Sequence, residues 1–305
     1  MKKFTFFLDF LIEGQFVGLL WALEKGLYKE AGLDVEFVEW VEDGRSIIQK
    51  VIDGGRLCAG CSEDNLIISA CAAGLPVRAL ATMLQVSPLV LMTKHSSGIQ
   101  TIRDLIGKKV AMHCDGIRIL EAVLALEKIP TGAVEIHELP YQPDRLVRDE
   151  FQAVQGYAMY EPLQLAAMGV DVQTLPVRHH HIHPYAQVFF ATLENIEQEP
   201  VAIQSFLSAS LEGFRQSVSQ RDEAAKIVAK FLGGRGDVAS ARKVIDQLIP
   251  YLYDEAGDSR YGALDLERWS RNLKTYAAIG LTSGVLAVED TVDNHFIERI
   301  YGYPP

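Results

Sequence analysis

The feature that most constrains this chain is an alternation of short apolar runs with longer segments of helical period, sustained from residue 3 to beyond residue 190. Such alternation points to an α/β fold with largely parallel sheets, because each helix carries the chain back to begin the next strand. Residues 3–9, 35–40, 57–60, 77–84 and 89–93 read as strands. Residues 16–30 read as a helix, with Val17, Leu20, Leu23 and Leu27 on one face and Gly32 as its stop. Shorter helices are expected at residues 46–53 and 62–73.

A second series begins after Lys94. Thr101 and Asp104 have capping-box spacing, and residues 109–113, 134–139 and 151–159 read as strands. A helix is expected at residues 116–128, with Ile117, Leu120 and Leu124 in register, and Pro162 occupies the first turn of another. Residues 187–192 read as a strand returning to the first series, and helices follow at residues 199–219, 223–232, 238–248, 264–278 and 290–300. The expected organisation is one lobe of residues 1–90 plus 187–305, with a second lobe, 91–186, inserted in it. Two chain crossings, near Ser87-Pro88 and Pro184-Tyr185, would form a hinge.

Composition narrows the partners. Forty Asp and Glu against 29 Lys and Arg give a net charge of −11, the wrong sign for a nucleic-acid binder, which needs a basic face to displace counterions. No run approaches the roughly 20 apolar residues of a membrane span. Residues 1–10 read as a first strand and not as a secretion signal, so the protein is expected in the cytoplasm, or in the periplasm or outside the cell with a signal removed. Cys58 and Cys61 form a single C-x-x-C among four cysteines. A structural zinc site needs four ligands, so packed thiols are expected.

In open α/β sheets, ligands sit outside the carboxyl ends of the strands. That rule selects Asp9, Phe10, Glu13 and Gln15 after the first strand, and Trp40 after the second. Ser62, Glu63, Asp64 and Asn65 follow the third. From the second lobe come His113, Asp115, Tyr157, Tyr160 and Glu161, and Tyr185 stands at the second crossing. Glu63 and Asp64 open a helix whose N-terminus would otherwise favour an anion, so a neutral or cationic ligand is expected. Phe10, Trp40, Tyr157 and Tyr160 could sandwich a flat heteroaromatic ring, and Glu161, held at a helix start by Pro162, could accept paired hydrogen bonds from its edge. The alternatives are core packing for the rings, helix-dipole complementation for Glu63 and Asp64, and helix capping for Glu161. In an extended segment His179, His181 and His183 share a face. Alternate positions are about 6.6 Å apart, so chelation there would need a bend or another ligand. No catalytic residue and no cofactor are expected.

Several segments carry a resemblance. They are Leu8-Asp9-Phe10, the run from Ala22 to Val35 (ALEKGLYKEAGLDV), Ala73-Gly74-Leu75-Pro76-Val77, the run from Ile102 to Ala111 (IRDLIGKKVA), and Tyr160-Glu161-Pro162. Together they resemble the substrate-binding proteins of ABC transporters for sulfonates, nitrate and thiamine-pyrimidine precursors. The resemblance implies a type II periplasmic binding protein fold, a small-molecule ligand captured for uptake, a permease and an ATPase as partners, and a monomer. With the acid-and-aromatic set, it makes a nitrogen heterocycle such as a thiamine-pyrimidine precursor the expected ligand. One branch of that superfamily, the fungal hydroxymethylpyrimidine phosphate synthase, has a pyridoxal-phosphate lysine and a reactive histidine where this chain has Ser62 and Leu66. Neither residue can form a Schiff base or supply an imidazole, so no enzymatic activity is expected. An enzyme of thiamine biosynthesis and the ligand-sensing domain of a signalling receptor are the alternatives.

Overall fold

In the computed structural model, residues 1–140, 142–178, 181–253 and 260–302 are described. The strands are β1 (Lys2–Phe7), β2 (Leu33–Val38), β3 (Cys58–Ser62), β4 (Val77–Leu84), β5 (Leu89–Lys94), β6 (Lys109–Met112), β7 (Glu135–Glu138), β8 (Ala153–Tyr157), β9 (Val172–Pro176) and β10 (Ala186–Thr192). Two compact units divide them. The first holds Met1–Val86, Tyr185–Leu266 and Leu286–Pro305; the second holds Ser87–Pro184 and Glu267–Val285.

The sheet of the first unit has the order β2-β1-β3-β10-β4. β1 runs parallel to β2 and to β3, whereas β10 is antiparallel to both β3 and β4. One face is closed by an aromatic cluster. Phe4 and Phe6 project from β1 onto Phe206, at ring-centroid distances of 4.7 and 4.8 Å, and Tyr28 stacks on the same ring at 5.3 Å. The Tyr28 hydroxyl is satisfied by Ser210 Oγ at 2.9 Å, which lets a polar atom sit in this core. Phe206 and Ser210 belong to the long helix Pro200–Ser219, which crosses the helix Val17–Glu24 where two glycines meet. A Cβ on Gly213 would stand 2.2 Å from the Gly18 carbonyl oxygen, so these backbones approach as only glycine permits.

The sheet of the second unit has the order β7-β6-β8-β5-β9. β6 is parallel to β7 and β8; β5 is antiparallel to β8 and β9. Its core gathers Val90 and Met92 of β5, Ala111 of β6 and Val154 of β8 with Leu146, Phe151 and Leu165. The capping box at Thr101 is present: Asp104 Oδ2 accepts from the Thr101 backbone N–H at 2.8 Å.

Several expectations need correction. The sheets are mixed and not largely parallel, because β10 and β5 each enter against their neighbours. The helix expected over residues 16–30 is broken: Gly14–Phe16 is a 3₁₀ turn, and Val17–Glu24 and Leu27–Glu30 are separated at Gly26, whose φ is +78°. β9 was not expected. Residues 267–285 belong with the second unit and not the first. The reason is a row of bonds from the helix Leu266–Ala278 to the backbone at residues 181–184. Arg268 Nε donates to His183 O at 2.7 Å, Arg268 Nη2 to Pro184 O at 2.8 Å, Asn272 Nδ2 to His183 O at 3.0 Å, and Thr275 Oγ1 to His181 O at 3.3 Å. Residues 268, 272 and 275 recur at the i, i+4, i+7 spacing of one helix face.

Candidate functional site

In the first unit the register sets one sheet edge as the place where polar groups gather. Phe7 of β1 pairs with Gly60 of β3, so the segments leaving these two parallel strands emerge side by side. β10 runs the other way, with Val188 opposite Ser62, so its beginning lies at that same edge. Asp9, Phe10, Glu13 and Gln15 follow β1, Trp40 follows β2, Ser62 closes β3, and Glu63, Asp64 and Asn65 begin the next helix. Tyr185 and Gln187 arrive with β10. Glu13, Gln15, Ser62, Glu63, Asp64, Asn65 and Tyr185 are buried, while Asp9, Phe10 and Trp40 are half-buried. The loop after β1 is tied to β2: Leu8 N donates to Val38 O, and Trp40 N to Phe10 O at 3.3 Å.

Asp9 is an acceptor at this edge. Asp9 Oδ1 receives the Cys61 thiol at 3.4 Å and Gln187 Nε2 at 3.4 Å. Burial, reinforced by the nearby Asp9 carboxylate, pushes the Cys61 thiol well above its ordinary pKa, so it stays protonated. Cys58, whose thiol lies 3.2 Å from Val51 O, is pushed up by burial to about 11. Both are free, packed thiols. Arg235 reaches the same loop at Ile12 O, but its guanidinium is met by Glu39 at 2.9 Å.

Asp64 is the first residue of the helix Asp64–Ala72, and its Oδ2 accepts from the backbone N–H of Tyr185 at 3.0 Å. The Tyr185 hydroxyl in turn accepts from Asp265 N at 2.9 Å. Glu63 is the N-cap residue, but its side chain makes no cap hydrogen bond.

In the second unit, His113 precedes the helix Cys114–Leu126. Its Nδ1 lies 3.1 Å from Asp115 Oδ1, which also accepts from Gln155 Nε2 at 2.7 Å, while Gln155 Oε1 accepts from His113 N at 3.0 Å. Burial works against the charge on His113, but the Asp115 carboxylate and the Cys114 sulfur outweigh it and hold the pKa up at about 10. Gly116 makes room for Gln155: a Cβ there would sit 2.3 Å from its Oε1. Tyr157 and Tyr160, both half-buried, follow β8. Glu161 is the first residue of its helix and not the residue before it; Tyr160 is the cap, and Pro162 falls within the first turn. Glu161 Oε2 accepts from Tyr157 N at 2.6 Å, bracing the turn that leaves the strand.

His179 and His180 lie outside the described residues. His181 and His183 are exposed, with their backbone groups held by the helix Leu266–Ala278. Among the described residues no three His, Cys, Asp or Glu side chains are placed together to hold a metal ion. None of their helices is long and apolar enough to cross a membrane.

Two amides at these edges were not among the expected residues: Gln155 in β8 and Gln187 in β10. Gln155 is the one buried polar side chain of β8, and Gln187 shares β10 with a single other, Thr192 at its far end; an amide within an apolar strand is a signal the sequence does carry.

The NMT1/THI5 like family matches residues 13–224. The chain belongs to that family. It is similar to the riboflavin-binding protein RibY of Chloroflexus aurantiacus, with 26% identity over 97% of this chain and 86% of that protein. It is also similar to the 4-amino-5-hydroxymethyl-2-methylpyrimidine phosphate synthase of Legionella pneumophila, with 22% identity over 75% of this chain and 73% of that enzyme. Among solved structures, the ligand-binding component of an ABC-type import system from Staphylococcus aureus superposes with a TM-score of 0.74. It is 13% identical and covers 98% of this chain and 99% of that one. The fold is therefore that of the periplasmic binding proteins, and the family holds both binding proteins and enzymes.

Proposed function

We propose that this protein captures a small, flat nitrogen heterocycle, neutral or cationic, and delivers it to an ABC permease and its ATPase from the periplasm or cell exterior. The observation that carries this reading is the gathering of carboxylates, amides and aromatic rings at one edge of the first unit. Asp9, Glu13 and Gln15 follow β1 with Phe10, Trp40 follows β2, Ser62, Glu63 and Asn65 lie at the end of β3, and Arg235, which reaches the loop after β1 at Ile12 O, is paired with Glu39. Carboxylates repel a sulfonate or nitrate at such range, whereas ring N–H and amino groups suit them. The riboflavin-binding relative and the pyrimidine phosphate synthase relative fit this class, since an isoalloxazine and an aminopyrimidine are both flat nitrogen heterocycles. Binding is favoured over catalysis because Ser62 and Leu66 supply neither an amine nor an imidazole after β3.

A thermal-shift and calorimetric panel tests the reading with riboflavin, 4-amino-5-hydroxymethyl-2-methylpyrimidine, an alkanesulfonate and nitrate. A bound heterocycle at 100 times its Kd should add about 2.7 kcal/mol of stability. Stabilisation by the sulfonate or nitrate alone overturns it.

A further inference from the structure

Gln187 is unlike any other residue at the edge of the first sheet. It is the second residue of β10, yet its φ is +52°, in the left-handed region where a glutamine is rarely found. Its neighbours keep the ladder, Ala186 opposite Leu84 and Val188 opposite Thr82, so the distortion is confined to one residue within a paired strand. The side chain is 1% exposed. Its Nε2 donates to Asp9 Oδ1, and a carboxylate can only accept, so this contact fixes which way round the carboxamide lies. The other end, Oε1, is buried with no hydrogen-bonding partner among the described residues.

Strain and an unmatched buried acceptor at one residue both cost stability, and such features persist where they serve a site. Building on the proposed function, we infer that Gln187 is a specificity-determining contact whose Oε1 accepts a hydrogen bond from a ring N–H of the bound heterocycle. Asp9 holds the carboxamide for that task, and the twisted backbone of β10 aims it. A heterocycle without that N–H leaves the acceptor buried and unmatched, and is thereby rejected.

The probes are riboflavin and 3-methylriboflavin, which differ only in the methyl group that replaces the ring N–H. Calorimetry on the intact chain should show the wild type binding riboflavin at least about tenfold more tightly than its methylated analogue. Gln187→Leu, close in size but unable to accept, should bind riboflavin at least about tenfold more weakly and discriminate the two probes poorly. Gln187→Asn, a residue more at ease in the left-handed region but shorter, should raise the melting temperature of the ligand-free protein while weakening riboflavin binding. A Gln187→Leu variant that still separates the two probes as the wild type does overturns the role of Gln187 and leaves the heterocycle reading intact. A drop in ligand-free melting temperature for both variants, with riboflavin affinity unchanged, also overturns it in favour of a purely structural residue. If the wild type binds no member of the heterocycle panel, the underlying reading fails first, and the inference falls with it.

Discussion

The carboxylate of Asp64 accepts a hydrogen bond of 3.0 Å from the backbone N–H of Tyr185, joining the helix after β3 to the start of β10 across 121 positions of sequence. Both residues are wholly buried. At least one oxygen of a carboxylate expected to face ligand is therefore spent on the backbone. Removing it strands a buried N–H, which costs roughly 1–3 kcal/mol. Asp64→Ala should lose about that much in urea melts, and Asp64→Asn, which keeps an acceptor, should lose less. Equal and negligible losses would show that the bond contributes nothing.

Glu161 makes a comparable bond to Tyr157 N at 2.6 Å. Glu161→Ala should lower stability by roughly 1–3 kcal/mol, while Glu161→Gln should retain most of it because the amide oxygen can still accept. Chemical denaturation of the two variants in parallel checks the order. If both match the wild type, the turn does not depend on this brace.

His113 has its pKa raised to about 10, against an ordinary value near 6.5. A raised histidine contributes stability in full below its unfolded pKa and loses it as pH climbs through the folded one. The advantage of wild type over His113→Gln should therefore be greatest near pH 6 and shrink steadily towards pH 10. Melts across that window test the sign, and an advantage that grows with pH would refute it. NMR of the imidazole should show it still protonated at about pH 8.

Gly213→Ala should be among the costliest methyl additions in the first unit. The new Cβ would meet the Gly18 carbonyl oxygen at 2.2 Å and the Ala22 Cβ at 2.9 Å, and a helix backbone cannot step aside as a side-chain tip can. Overpacking of this kind costs roughly 1–3 kcal/mol, towards the upper end here. Thermal unfolding followed by circular dichroism should register it, with no change in helix content below the transition.

How far the sequence speaks depends on where the deciding partner lies. β4 is found at the residues expected, 77–84, because a run buried on both faces and preceded by Pro76 leaves little choice. Strand direction has no such local mark. β5 and β10 carry the same apolar residues they would in a parallel sheet, and only their neighbours reveal them as antiparallel. β9 leaves little trace in the sequence because it is an edge strand, half-exposed and interrupted by Gln173 and Thr174. Gly26, which breaks the helix expected over residues 16–30, is visible in the sequence, but Gly32 carries the same stop signal. At the two sheet edges Asp64 and Glu161 are legible as residues of helix starts, Glu161 to within one position, since carboxylates concentrate there. That each would be engaged by a backbone N–H is not, because main-chain partners leave no trace in residue identity.

The row of bonds from Arg268, Asn272 and Thr275 to the backbone at residues 181–184 has a consequence for how the chain is made. These contacts span 84 to 94 positions. A ribosome that has released residues 87–184 has not yet released the helix that secures their far end, and it must first thread out the intervening stretch of the other unit. The second unit thus emerges unfinished and waits on residues translated after most of the first, and at roughly 5–20 residues per second that wait lasts several seconds. During it residues 181–184 have nothing from that helix to hold them, which leaves them open to a chaperone or a protease.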